Sequence, residues 1–430
     1  MSQLGATKSG FILCIGVCIL LFTLSNIKDL DEEKQFAPEI KECGFYPGEL
    51  CSAILEGKTA ALTVGNICQS LLRSSHDQGP TCLQTTTNCT TIIQDLNFIT
   101  EPLSKEEVDY PLAYIITIHK KLDMFVKLLR AIYAPQNVYC IHIDKKSSKS
   151  YSRTVRKLTG CFSNIIISSK QETVVYAGFS RLKADINCME DLIESDNQWR
   201  HVINLCGQDF PIRTNREIVK YLKTQWNGRN LTPGVIQPPH MKYRTSISYQ
   251  EFQHIGMAYV SQTSKAKSSP PHNITLFFGT AYYALTRDFV RFVLSDQHAK
   301  DLLEWSRDTY SPDEHYWVTL NRMKDVPGST PNAQWEGNIR AVKWKDQEGV
   351  SHPGCFGQYV RDICVYGLGD LPWIIESPHL FANKFDPGLH PLVTDCLERH
   401  YRLRVLEQAE VEIDPNWYLE DNYTRKPANT

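Results

Sequence analysis

The chain has 430 residues, 42% of them hydrophobic and 22% charged, with 46 Lys and Arg against 48 Asp and Glu for a formal net charge of −2. That length allows a body of two or three lobes around a substantial core. The balanced charge supplies no global basic field, which argues against a nucleic-acid partner and requires any anionic substrate to meet a local basic pocket.

Residues 10–24, GFILCIGVCILLFTL, form an uncharged apolar run between Lys8 and the sequence KDLDEEK. Fifteen residues give about 22 Å of helix, short for an average bilayer but suited to a thin early secretory membrane. No A-x-A-like site follows, so residues 10–25 read as a signal-anchor transmembrane helix rather than a cleaved signal peptide. The charge asymmetry puts residues 1–9 in the cytoplasm and the remainder in a lumen. Fourteen cysteines, two in the anchor and twelve beyond it, fit an oxidising compartment. The absence of any C-x-x-C pair argues against zinc ribbons and thioredoxin-like chemistry. Sequons at Asn88, Asn230, Asn273 and Asn422 agree with a lumenal body. Pro233 weakens the second, leaving Asn88, Asn273 and Asn422 as the glycosylation candidates.

Residues 26–105 read as a lumenal stem, acidic at first, then Thr-rich around TCLQTTTNCTT, with no sustained apolar period. Residues 106–430 form the catalytic domain. In it PLAYIITIH (111–119) predicts a buried strand, KLDMFVKLLRAIY (121–133) a helix and NVYCIHID (137–144) a second strand. This is a βαβ unit and implies a parallel sheet. A second round follows in NIIISS (164–169), FSRLKADINCMEDLIES (179–195) and HVINLCGQDFPI (201–212). The fold class is therefore α/β, with a nucleotide site expected at the carboxyl ends of the strands.

Asp144 ends the IHID strand, where it fits either a ribose hydrogen bond or a simple turn cap. No G-x-G-x-x-G or Walker loop occurs, so a dinucleotide or ATPase cradle is missing. Asp29-Leu30-Asp31 is the only Asp-x-Asp, and its position in the stem makes it a poor metal-ligand pair. A bound diphosphate would then need side-chain cations such as Arg361 and Lys384, although either alone fits a surface salt bridge. In TYSPDEHYW the residues Ser311, Pro312 and Glu314 satisfy an N-cap, an N1 proline and the N3 acid of a capping box. The same Glu314 is also placed to act as a general base.

Taken in order, YPLAYIITIH, LLRAIYAPQNVYCIHIDKKS, NCMEDL, INLCGQDFPI, TYSPDEHYW, ICVYGLGDLPW and LFANKFD resemble the core 2/I-branching β-1,6-N-acetylglucosaminyltransferases. The resemblance runs from about Cys51 to Cys396. It implies a Golgi single-pass type II membrane enzyme of GT-A-like nucleotide-sugar transferase fold, inverting and metal-independent, with no cofactor. Such an enzyme moves GlcNAc from UDP-GlcNAc to the 6-hydroxyl of a GalNAc or Gal residue in O-glycans. It implies Glu314 as base, His119, Asp144, Arg361 and Lys384 on the donor, and Arg244 and Trp344 on the acceptor. It also implies disulfides Cys51–Cys396, Cys89–Cys161, Cys140–Cys188 and Cys355–Cys364, with Cys206 free. Cys43, Cys68 and Cys82 remain as an odd set, consistent with one further pair plus a thiol that is free or bridges a second copy.

The acceptor side departs from the family pattern: Met241 stands where a Lys is expected, Thr245 where a Trp is expected, and Asp346 in place of an aromatic found in some members. Two alternatives therefore stand beside the branching transferase: a catalytically weak or inactive lumenal protein that binds glycan or UDP-sugar, and a related xylosyltransferase.

Overall fold

The computed structural model describes residues 47–72, 80–254 and 257–413. The expected anchor, the acidic stretch after it and Asn422 lie outside the described residues, among which no helix is long and apolar enough to cross a membrane.

The centre is a five-stranded sheet. Strands β1 (Leu112–Ile118), β2 (Val138–Ile143), β3 (Ile165–Ile167) and β4 (His201–Cys206) are parallel in the order β4-β1-β2-β3, and Ala284–Thr286 adds an antiparallel edge beside β4. Side-chain alternation makes both faces of β1 apolar: Leu112, Tyr114, Ile116 and Ile118 join one core cluster, Ala113 and Ile115 another. Helix α1 (Leu122–Ile132) covers the first face with Phe125, Leu128, Leu129 and Ile132, each fully or almost fully buried and contributing roughly 1.5–3 kcal/mol. Helix α2 (Lys149–Thr159), which the hydrophobic pattern does not predict, starts at the Ser148 N-cap; helix α3 (Phe179–Glu194) covers the second face. The predicted strand–helix–strand rounds thus form within a residue or two of expectation. In 201–212, expected as a strand with an exit loop, the strand ends at Cys206 as β4 and the exit loop carries a short further strand, β5 (Asp209–Pro211).

β5 leaves the main sheet and pairs antiparallel with Phe381–Asn383, which pairs in turn with Arg340–Val342. This small sheet brings the last hundred residues against the end of β4. Beside it a hairpin, Gln358–Val360 with Ile363–Val365, turns through Arg361 and Asp362, both at positive φ (53° and 60°) as a two-residue hairpin turn requires. The hairpin is fixed from behind by the fully buried pair Lys343–Asp370 (2.6 Å), with Asp370 also accepting from the Gly367 N–H (2.8 Å).

Part of the segment read as a stem is packed onto the body. Helix Pro47–Leu55 puts Leu50, Cys51 and Ile54 into one cluster with Leu371, Cys396 and Leu397, and the Cys51–Cys396 disulfide ties it to helix Pro391–Gln408. Nine residues hold too few apolar positions to show a sustained period, so the stretch reads as unstructured until its partner at the far end of the chain is known. All four disulfides implied by the resemblance are present. Cys68 is also disulfide-bonded, leaving Cys82 and Cys206 as the free thiols among the described residues. Asn88 and Asn273 are exposed, whereas Asn230 is fully buried and hydrogen-bonded to Thr286 and Asn321.

Candidate active site

The carboxyl ends of β1, β2 and β4 open into a cleft of about 2090 Å³, walled on the other side by residues from 241 to 383. Of the seven predicted substrate-site residues, His119, Asp144, Arg244, Glu314, Trp344 and Arg361 line it. Lys384 does not. It stands at the base of the Arg361 turn, donating to the Val360 carbonyl at 2.8 Å.

Glu314 reaches the cleft by a route that contradicts the capping box. Ser311 is left-handed (φ 47°, ψ 59°), makes no side-chain cap bond, and donates its N–H to the Ala177 carbonyl at 2.8 Å. Pro312–Glu314 is then a single 3-10 turn, and the helix proper is Tyr316–Asn321. The sharp turn at Ser311 directs the Glu314 carboxylate away from the helix and onto the guanidinium of Arg244. Arg244 is itself sandwiched, its guanidinium 5.2 Å from the Phe278 ring and 5.3 Å from that of Tyr310. Burial pushes the Glu314 carboxyl up to about 7, with Arg244 pulling it down and Asp313 pushing it further up. A carboxylate so poised exchanges a proton near neutrality, the property a general base needs.

Asp313 is buried beneath it. Burial holds its carboxyl above the ordinary range, opposed by Arg181. Arg181 pairs with Asp185, whose other oxygen accepts from Asn204 and the Tyr283 hydroxyl, both at 3.1 Å. These residues form a hydrogen-bonded floor under Glu314. Arg181, Tyr176 and Trp335 also line the cleft and carry no sequence signal that would have singled them out.

The same cleft also holds cations. Arg361 lies 4.6 Å over the ring of Tyr176 and, among the described residues, makes no ion pair with a carboxylate. The Lys384 ammonium is held below its ordinary value by burial first and then by Arg361. His119 is held down by desolvation and then by Lys120, with Lys146 and Arg361 adding to it and Asp144 opposing. Asp144 is largely satisfied: it accepts from the Lys146 N–H at 2.8 Å and pairs with the Lys146 ammonium at 3.0 Å. Asp144 closes the turn after β2 and is buried, while the N-cap of the next helix is Ser148. Arg361 thus brings to the cleft a positive charge that no carboxylate among the described residues neutralises in an ion pair, although Asp144, Asp346 and Asp362 line the same cleft, and such a charge attracts an anion.

The GQDF residues serve structure. Asp209 accepts from the Cys206 N–H (2.6 Å) and from Asn383 (2.7 Å), and it pairs with the buried Arg340, whose guanidinium sits 3.9 Å over Tyr282. Burial pushes the Cys206 thiol up to about 12, so it packs rather than reacts. On the acceptor side Met241 and Asp346 line the cleft, whereas Thr245 is buried and bonded to Gln237 at 3.0 Å.

Residues 112–375 match the family model described as Core-2/I-Branching enzyme. The human "Probable beta-1,3-galactosyl-O-glycosyl-glycoprotein beta-1,6-N-acetylglucosaminyltransferase 7" is 58% identical over 98% of this chain and 97% of its own length. The human N-acetyllactosaminide beta-1,6-N-acetylglucosaminyl-transferase is 49% identical over 97% of this chain and all of its own length. The rat beta-1,3-galactosyl-O-glycosyl-glycoprotein beta-1,6-N-acetylglucosaminyltransferase 3 is 42% identical over 84% of each. Among solved structures, mouse xyloside xylosyltransferase 1 aligns at 10% identity with a TM-score of 0.31 over 64% of this chain and 96% of that one, too distant to carry weight. On the family model and these full-length identities, the chain belongs to the core-2/I-branching enzyme family.

Proposed function

We propose that the protein is an inverting β-1,6-N-acetylglucosaminyltransferase of GT-A-like fold that uses UDP-GlcNAc and needs no metal. The observation that carries this reading is that one cleft is lined both by the Glu314 carboxylate, poised near pH 7, and by Arg361, which among the described residues makes no ion pair. The activity named for relatives 42–58% identical supports the same chemistry.

In this mechanism Glu314 takes the proton of the acceptor 6-hydroxyl as that oxygen attacks the anomeric carbon of GlcNAc. The bond from that carbon to the diphosphate oxygen breaks on the opposite face, and its electron pair leaves with UDP. One base suffices for such a displacement. The charge growing on UDP meets Arg361, which grips phosphate oxygens bidentately, and Lys384, which adds a point charge from behind the turn. Asp144 and His119 flank the nucleoside. Arg244 holds Glu314 toward the cleft, and Trp344, 38% exposed, offers a ring face to the acceptor. The acceptor is a Gal or GalNAc residue of an O-glycan, and the enzyme works in the Golgi lumen on a type II anchor. The direct test of the donor side is UDP titration in EDTA. Binding that persists in the wild type and weakens about tenfold or more in Arg361→Ala supports side-chain cations in the metal's place; binding that requires a divalent ion contradicts it.

A further inference from the structure

Between the acceptor segment and the base segment the chain sends out a two-stranded ribbon, Ile247–His254 paired antiparallel with Met257–Ala266. A free hairpin is marginal in water, so its mounting matters. One face is bolted to the body. Tyr249 is buried against Tyr310 (5.2 Å between rings), and Glu251 accepts the Ser180 N–H (2.7 Å) at the start of α3. Gln253 donates to the Thr173 carbonyl at 3.4 Å.

Among the described residues the other face has no such partner. The register sets Phe252 opposite Tyr259 and His254 opposite Met257, so all four project from the same side. Phe252 and Tyr259 stack with centroids 5.4 Å apart and planes 20° apart, and the His254 ring continues the stack at 17° to Phe252. Tyr259 is 45% exposed and Met257 65%. The next positions on this face are Gln250 and Ser261, so it holds amides, hydroxyls and rings without an acidic or basic pair. The tip of the ribbon reaches the cleft that Glu314 lines, through His254 and Met257 of this face and Gln253 and Ala258 of the other, while Phe252 and Tyr259 stand farther along the ribbon, outside the cleft lining.

We infer that this ribbon is a subsite for the acceptor glycan beyond the residue that is substituted: a neutral platform on which further sugar rings stack. The inference rests on the transferase reading above and adds to it a preference for extended acceptors. Near-parallel exposed rings present flat apolar faces matched to the C–H face of a pyranose, and neighbouring amide and hydroxyl groups match its hydroxyls. A membrane surface or an acidic polypeptide would call for basic residues, which the face lacks. The rigid mounting lets the platform bind without an ordering cost.

The test compares a lactosamine disaccharide with the hexasaccharide bearing the same reacting residue, using wild type and the double variant Phe252→Ala/Tyr259→Ala. The hexasaccharide KM rises about tenfold in the variant, two stacking contacts at roughly three- to fivefold each. The disaccharide KM and UDP binding stay within twofold. Phe252→Tyr/Tyr259→Phe, which keeps both rings, restores the wild-type preference. Equal loss on both acceptors overturns the inference by making the ribbon structural, and so does an unchanged hexasaccharide KM. A loss seen only with peptide-borne acceptors, whatever their glycan length, overturns it in favour of a polypeptide partner. Hexasaccharide titration followed through the Tyr259 and Phe252 ring resonances reads the ribbon without turnover. Ring shifts without transfer from UDP-GlcNAc would sustain the ribbon while removing the transferase reading, and transfer without ring shifts would do the reverse.

Discussion

Glu314→Gln separates the two roles open to this residue at the level of the sequence. The side chain is 29% exposed, and burial raises its carboxyl from 4.5 to about 7. A raised acid favours the protonated form in the fold, so this group makes the native state progressively less stable as pH climbs from 4.5 to 7. The cost levels off above that window. About 2.5 pKa units at 1.36 kcal/mol each set it at about 3 kcal/mol as an upper bound, reduced by the wet cleft. Gln cannot ionise, so the variant loses this slope: it unfolds no more easily than wild type at pH 8, and the stability difference between pH 5 and pH 8 shrinks. Transfer falls by about 10²–10⁴, the range for losing a positioned general base. UDP affinity is unchanged because Arg361 and Lys384 remain in place. Urea melts at the two pH values, a transfer assay and a UDP titration measure all three effects. Retained transfer, or a loss of UDP binding equal to that of Arg361→Ala, refutes the reasoning.

Further outcomes follow from the same geometry. Since Glu314 must be ionised to act, kcat/KM rises with pH through about 7; Arg244→Gln removes the group that pulls the carboxyl down, moving that limb upward in a pH–rate profile. Lys384→Ala weakens UDP binding less than Arg361→Ala, because Lys384 sits behind the turn, and a salt series on both variants shows a shallower dependence than wild type. Lys343→Met leaves the fully buried Asp370 unpaired and lowers stability by about 3–5 kcal/mol, read as a fall in urea midpoint. Cys206 in the native protein resists alkylation at pH 8 by peptide mass mapping, since burial keeps its thiol protonated, and Cys206→Ser retains transfer.

The α/β core was legible because its signals are local. β1, β2 and β4 are nearly unbroken apolar runs, and α1 shows its helical period within eleven residues. Glu314, Arg361 and Lys384 were legible chiefly through ordered motifs, and the structure adds what spacing could not. Arg361 and Glu314 come to line one cleft because β5 crosses to the small sheet and Ser311 takes a left-handed turn. Helix Pro47–Leu55 was illegible because its packing partner is 345 residues away in sequence at the Cys51–Cys396 link. The ribbon's aromatic face was hidden for another reason. Phe252, His254, Met257 and Tyr259 form one surface only in the register of that hairpin, which a single strand's alternation does not reveal.

Transfer of radiolabelled GlcNAc from UDP-GlcNAc in EDTA, by the purified protein, to core 1, core 3 and poly-N-acetyllactosamine acceptors tests the central claim most directly. The account predicts a product that is β-1,6-linked, lost in Glu314→Gln and indifferent to added divalent ions. UDP-GlcNAc binding with no product on any acceptor of the panel, or product that appears only with a divalent ion, would contradict it.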